Sequence, residues 1–393
     1  MSTVEQRLSD DQSEALAKIL AWLGTGVSTL TLGGLAGTGK TTLIKEILRL
    51  APDSSEIAVV AFTGKAVSVL ISKGVARAMT VHALIYRVCG ENEKKEPIFS
   101  RRNEIRPSLV IVDEASMVNS RMHSDLECLA NKILYVGDHG QLPPIGGDPK
   151  LMEYPEIRLE KIHRQAEDSM VIAFAHAVRE GVDPFDLGLP RSPTRKEDKE
   201  NGRKTLHIDG VSIGNIWPDD IHMYDAVLCG YNSTRHYLNK HIRESRGFSG
   251  TLPQPGETLI CINNHRVFGL YNGQQVCVVS CTHVCEDSAN LVYTDLQGGV
   301  ESAVLMYTPQ LHSPETFSVD EDIREGFGLF EWGYVLTVHK SQGSEWGSVC
   351  VVEQTQKQWD IARWRYTAAS RAVHKLHYVI ERRSIPKNAP RDN

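Results

Sequence analysis

The chain lacks the features that most directly mark a membrane protein or a bulk polyanion binder. No apolar run approaches the roughly 20 residues that a membrane-spanning helix needs. There is no basic excess either: 43 Lys and Arg stand against 49 Asp and Glu, a net charge of −6. A nucleic acid, if one is bound, would therefore be gripped in a local groove by backbone amides, hydroxyls and stacking rather than by overall charge. The polar start "MSTVEQRLSD" has no apolar core of a secretory signal, so the expectation is a cytoplasmic protein with no membrane partner. Clustered cysteine is scarce too. The eight cysteines are mostly scattered singly, several within apolar runs, as buried thiols of a reducing compartment are. The exception is "CVVSCTHVC", with Cys277, Cys281, His283 and Cys285. Its valines indicate a strand, which would hold Cys277 and Cys281 about 13 Å apart, too far to share one zinc ion.

What is present is an ordinary globular composition, 41% apolar and 23% charged, over 393 residues. Cores seldom grow beyond about 250 residues without splitting, so more than one compact unit is expected. Seven short apolar runs read as buried parallel strands: "STLTLGG", "EIAVVAFTG", "SLVIVDEAS", "KILYVGD", "DAVLCGYN", "SVCVVEQ" and "LHYVIER". Four precede residue 140 and three follow 224. Helical patterns such as "DQSEALAKILAWL", opened by Ser9 or Asp10, and "DSMVIAFAHAVREG", closed by Gly181, lie among them. Such alternation predicts an α/β fold with two parallel sheets. The charged stretch 83–107 fits a small inserted hairpin. Residues 262–331 fit an antiparallel β module, given their alternation and their Asn-Gly and Gly-Gly turns. "DPFDLGLPRSPTRKEDKENGRK" reads as a long loop, and no internal repeat is found.

The chemistry begins at "GLAGTGKT". Gly34 and Gly39 have the G-x-x-x-x-G-K-[ST] spacing between a predicted strand and a predicted helix, the context that a phosphate-binding loop requires. Glycines let the backbone N–H groups of Gly34, Ala36, Gly37, Thr38 and Gly39 turn toward phosphate oxygens. Lys40 neutralises the β- and γ-phosphates, and Thr41, followed by Thr42, offers a hydroxyl to Mg²⁺. In "LVIVDEAS" two carboxylates end an apolar strand: Asp113 would hold Mg²⁺, directly or through water, and Glu114 would polarise an attacking water. A general base favours hydrolysis of ATP over phosphoryl transfer to a metabolite.

With "YVGDHGQLPPIG" the chain resembles the superfamily 1 helicases, in particular their RecD and Dda-like branch. The resemblance implies that Gln141 senses the γ-phosphate, that Gln12 in "LSDDQ" reads the adenine edge, and that Arg164 in "LEKIHRQ" reaches the triphosphate. "AFTGKAVSVL" and "MTVHALI" resemble the motifs in which Thr63, Lys65, Thr80 and His82 face single-stranded nucleic acid. Phe62 stands where the family usually has proline, and packing is its favoured role. "LTVHKSQGSEW" and "YTAASRA" are similar to the last two motifs. Gln342, Gly343 and Glu345 would lie near the nucleotide, Thr337, His339, Lys340 and Ser341 would touch the nucleic-acid backbone, and Arg371 would be the arginine finger. "INNHRVFGLYNG" resembles the stretch leading into the family's inserted module, with Asn264 on the nucleic-acid side.

The implied architecture is two RecA-like P-loop domains. The first spans 1–82 and 108–160 with a hairpin insert at 83–107; the second spans 161–261 and 332–393 with an SH3-like β insert at 262–331. The implied function is a monomeric ATP- and Mg²⁺-dependent helicase. It would move 5′ to 3′ on single-stranded DNA and open duplex or forked DNA, in a bacterial cell or a phage-infected host, beside replication or recombination proteins. Alternatives are a single-strand translocase that displaces bound proteins, an RNA helicase, and a nucleotide-gated binding module.

Overall fold

The computed structural model describes residues 8–50, 56–91, 97–102, 106–144, 146–161, 169–189, 210–214, 220–263, 265, 268, 270–296, 298–312, 323, 326–354, 356 and 358–380. The chain divides into two compact units with the boundary between Asp168 and Ser169.

In the first unit, α1 (Asp10–Leu23) opens on a capping box in which Ser9 and Gln12 satisfy each other's backbone N–H groups. Its Ala15, Leu16, Ile19 and Trp22, spaced at helical period, are buried. β1 (Thr29–Gly34) leads into α2 (Lys40–Leu50), β2 (Ile57–Ala61), α3 (Gly64–Ser72), β3 (Met79–Thr80) and α4 (Val81–Ile85). A two-stranded sheet of β4 (Tyr86–Glu91) and β5 (Pro97–Arg101) follows, then β6 (Leu109–Asp113), α5 (Ser120–Leu129), β7 (Ile133–Gly137) and β8 (Ile157–Leu159). The strand order β3-β2-β6-β7-β1-β8 is parallel throughout.

Strand period 2 sorts the apolar residues onto two faces. Leu109 and Ile111 of β6, with Leu134 and Val136 of β7, join the core under α1, α2 and α3. Val110, Val112, Ile133 and Tyr135 join the opposite core with α4 and α5. Both faces being covered, the strands read as continuous apolar runs.

The second unit begins with α6 (Met170–Arg179), β9 (Gly210–Gly214), β10 (Ala226–Cys229) and α7 (Asn232–Ser245). Five strands then form an antiparallel module: β11 (Thr258–Cys261), β12 (Gln275–Cys285), β13 (Ser288–Asp295), β14 (Ser302–Tyr307) and β15 (Phe330–Trp332), in the order β14-β13-β12-β11-β15. β12 carries Cys277, Cys281 and Cys285 as the strand reading of "CVVSCTHVC" expects. The chain returns through β16 (Val335–Thr337), β17 (Trp346–Glu353), α8 (Ile361–Ala369) and β18 (Ala372–Ile380), giving a second parallel sheet, β16-β10-β17-β18-β9.

The module has its own core, which includes Leu259, Val276, Leu291, Tyr293 and Phe330. Polar contacts tie it to the parallel sheet of the same unit. Arg243 of α7 pairs with the fully buried Glu257 at 2.7 Å, and the Tyr334 hydroxyl donates to the same carboxylate at 2.9 Å. The Trp346 indole N–H donates to Gln275 Oε1 at 3.0 Å. A buried carboxylate is tolerated only with such partners.

Candidate nucleotide site and nucleic-acid interface

Parallel strands release their following loops along one edge of the sheet, where α/β proteins bind ligands. In the first unit β1 ends at Gly34 and the phosphate loop runs to Lys40, the first residue of α2. Gly37 (φ 83°) and Gly39 (φ 77°) occupy the left-handed region that glycine enters at little cost. A Cβ on Gly34 would stand 2.5 Å from Thr38 Oγ1, so the loop's curl tolerates no side chain there. The Lys40 ammonium donates to the carbonyls of Gly34 (2.6 Å) and Leu35 (3.1 Å), curled over the loop. Gln12, 1% exposed, accepts from Ser9 N–H at 3.0 Å and donates to the Thr38 carbonyl at 3.1 Å, tying α1 to the loop.

One strand over from β1, β7 ends in the turn Asp138–Leu142. Asp138 Oδ1 accepts from Gly140 N–H at 2.8 Å, and its Oδ2 accepts from the Gln141 amide at 3.3 Å. Gln141 is 5% exposed and its Oε1 is a buried acceptor with no hydrogen-bond partner among the described residues, a costly state for a side chain without a further use. Next comes β6, which ends at Asp113 and is followed by Glu114. Burial pushes the Asp113 carboxyl up, opposed by the charge of Lys40, which places the two groups in electrostatic reach. Glu114 sits at φ 54°, ψ 42°, left-handed for a residue with a Cβ, a strain typical of functional positions.

The same edge continues into β2 and β3. Ala61 is in register with Asp113 on one side and with Thr80 on the other. Thr63 caps α3, accepting from Ala66 N–H at 3.1 Å, and Thr80 caps α4, accepting from Ala83 N–H at 3.1 Å; each keeps its O–H to donate. His82 is exposed while Lys65 is partly buried. Phe62 packs against the α4/α5 core and meets the His82 ring edge-on at 6.0 Å.

In the second unit Thr337 ends β16, and its Oγ1 accepts from Lys340 N–H at 3.3 Å. Ser341 is fully buried and donates to the Val338 carbonyl at 2.8 Å. Burial lowers the pKa of His339, whose ring lies 6.2 Å from that of Trp359. Gly343 has φ 72°, Gln342 is buried and Glu345 exposed. Arg371 is 5% exposed and donates to the carbonyls of Thr367 (3.1 Å) and Ser344 (3.2 Å) and to Ser370 Oγ (2.9 Å). Arg164 and Asn264 lie outside the described residues, as do 190–204 of the Pro- and charge-rich stretch. Sequence reasoning assigned nothing to Asp138, although "GD" was in view, nor to Arg235 and Glu331, whose partnership with Lys340 has no sequence signature.

The fit to a magnesium nucleotide rests on this geometry: a curled loop that a Cβ would fill, a lysine over it, and the hard oxygen donors Thr41 and Asp113 that suit Mg²⁺. The site is that of a P-loop nucleotide-binding protein with a RecA-like α/β fold. The comparisons agree and go further. A family described as "AAA domain" matches residues 7–190, and the "UvrD-like helicase C-terminal domain" matches 333–379. The ATP-dependent RecD2 DNA helicase of Deinococcus radiodurans is 27% identical over 384 residues, 93% of this chain and 48% of that protein. The RecBCD enzyme subunit RecD of Mycobacterium tuberculosis is 24% identical, covering 95% of this chain and 70% of that one. A Bacteroides Pif1 helicase, solved with ADP-AlF3 and single-stranded DNA, superposes with a TM-score of 0.58 at 16% identity, covering 99% and 95% of the two chains. The chain is thus similar in sequence to helicases of the RecD kind and in fold to a Pif1 helicase. It spans about half the length of the RecD2 protein that it matches.

Proposed function

We propose that the chain is an ATP-driven DNA helicase that moves 5′ to 3′ on a single strand and separates duplex DNA. The observation that carries this is the strand order β3-β2-β6-β7-β1. Along one sheet edge it sets the Thr63 and Thr80 loops beside Asp113 and Glu114, then Gln141, then the phosphate loop. Neighbouring strands are about 4.8 Å apart, so a group that follows the nucleotide's state has a short path to a group that can hold a strand.

ATP with Mg²⁺ would supply the cleavable phosphoanhydride and the cation that screens it. Lys40 would exchange its two loop carbonyls for phosphate oxygens, while Thr41 and Asp113 would hold the cation. Glu114 would take the proton of the attacking water, and the unpartnered Gln141 Oε1 would accept from that water and orient it. Thr63, Lys65, Thr80 and His82, with Thr337, His339 and Lys340, would grip the strand. Gln12 at the adenine, Arg371 at the transferred phosphoryl group and an SH3-like character for the β module are assigned by resemblance, as is the polarity.

The test is unwinding with ATP and Mg²⁺ of two duplexes of identical sequence, one with a 5′ and one with a 3′ single-stranded tail, with phosphate release followed in parallel. Opening of the 5′-tailed duplex alone is expected, and Lys40→Ala should lose both signals. Phosphate release stimulated by either tail without opening would make the protein a translocase instead, and opening of the 3′-tailed duplex would reverse the polarity.

A further inference from the structure

Lys340 has a partner that phosphate would have to displace. Its ammonium lies 3.5 Å from Glu331 Oε2, and the same oxygen accepts from Arg235 Nη1. The three side chains differ in access: Arg235 is 4% exposed, Glu331 13% and Lys340 42%. Two cations thus share one carboxylate, and the excess positive charge faces outward on Lys340. Arg235 takes the inner position from α7, with His236 Nε2 3.1 Å from its Nη2.

Glu331 is not free to follow Lys340. It lies in β15, paired with Ile260 of β11, and so belongs to the antiparallel ladder of the β module. Lys340 belongs to the turn after β16 of the parallel sheet, with its backbone N–H on Thr337 Oγ1. The ion pair therefore joins the module's last strand to the turn that carries Thr337, His339 and Ser341.

We propose that Glu331 is a positioning residue that sets the strength of single-strand binding through Lys340: its carboxylate is a built-in competitor of the nucleic-acid phosphate. The proposal rests on the assignment of Lys340 to the strand. When a phosphate takes the ammonium, Glu331 remains neutralised by Arg235, so release of Lys340 strands no buried charge. A carboxylate with Lys340 as its sole partner could not give way so readily.

The experiment is single-stranded DNA affinity, measured over a series of salt concentrations, for Glu331→Gln, Lys340→Gln and the double variant of the full chain. Glu331→Gln keeps an oxygen for Arg235 but removes the charge that competes. Its affinity is expected to rise about two- to fivefold, the range of a half-exposed ion pair, with a steeper salt dependence by up to about 0.7 in slope. In the Lys340→Gln background the same change should have no effect, which a purely structural role for Glu331 would not produce. Glu331→Asp retains the charge but withdraws it from Lys340, and should give a smaller rise with the same dependence on Lys340; it also serves if the glutamine variant folds poorly. An unchanged or weaker affinity for Glu331→Gln, or an equal rise in both backgrounds, overturns the proposal. If Lys340→Gln alone leaves affinity unaltered, the assignment of Lys340 to the strand fails first, and the proposal with it.

Discussion

Glu114 shows how a single residue is held against its own preference. Its left-handed backbone costs a residue with a Cβ on the order of 1–2 kcal/mol, and Asn would accept it more easily. Glu114→Asn should therefore preserve or raise stability to chemical denaturation by on the order of 1 kcal/mol. ATP hydrolysis should fall by roughly 10²-fold or more, the usual share of a general base. Unimpaired turnover in this variant would remove Glu114 from the hydrolytic step. The carboxylate pair itself was legible in "VDEAS" because strand, charge and spacing from the phosphate loop are local. The strain at Glu114 was not, because backbone angles depend on what the turn after β6 packs against.

At the scale of elements, β18 carries a pH dependence. His377 is 1% exposed, and its Nδ1 lies 2.7 Å from Ser212 Oγ of β9. Burial, with the nearby charge of Lys375, pushes its pKa down to about 4. The unfolded chain, with an ordinary imidazole near 6.5, binds this proton more readily than the folded one. Stability therefore falls as pH drops from about 6.5 to about 4, then changes no further on this account, a total of about 3 kcal/mol. Denaturant titrations across that range should show the loss, and His377→Gln should flatten it. An unchanged acid slope in the variant would place the pH dependence elsewhere.

The seven apolar runs all became strands, because burial on both faces leaves continuous apolar sequence. β3, β8 and β16, of two or three residues, escaped notice: so short a strand has too few residues to show a period. The antiparallel module was legible from its turns and alternation. Its polar ties to the parallel sheet, Glu257 to Arg243 and Tyr334 among them, join residues far apart in the chain and left no local trace.

For the molecule as a whole, the charge balance constrains how nucleic acid could be held. With 49 acidic against 43 basic residues, and few cations among the candidate contacts, most of the grip would come from hydroxyls, amides and rings. The logarithm of single-strand affinity should therefore fall with the logarithm of salt concentration with a slope no steeper than about −3, which corresponds to roughly four phosphate contacts. A much steeper slope would point to a basic surface outside the motifs.

The sequence by itself determined the phosphate loop, the carboxylate pair, the alternation that builds two parallel sheets and the family that their order resembles. These signals are local, carried by spacing and period within a few residues. Tertiary structure alone decided that Gln12 ties α1 to the phosphate loop, that Gln141 keeps a buried oxygen without a partner, and that Arg371 is held by carbonyls of its own unit. It also decided that Lys340 answers to a carboxylate of the β module. Each of these depends on which side chains meet once strands have paired and water has been excluded, and no spacing along the chain encodes that.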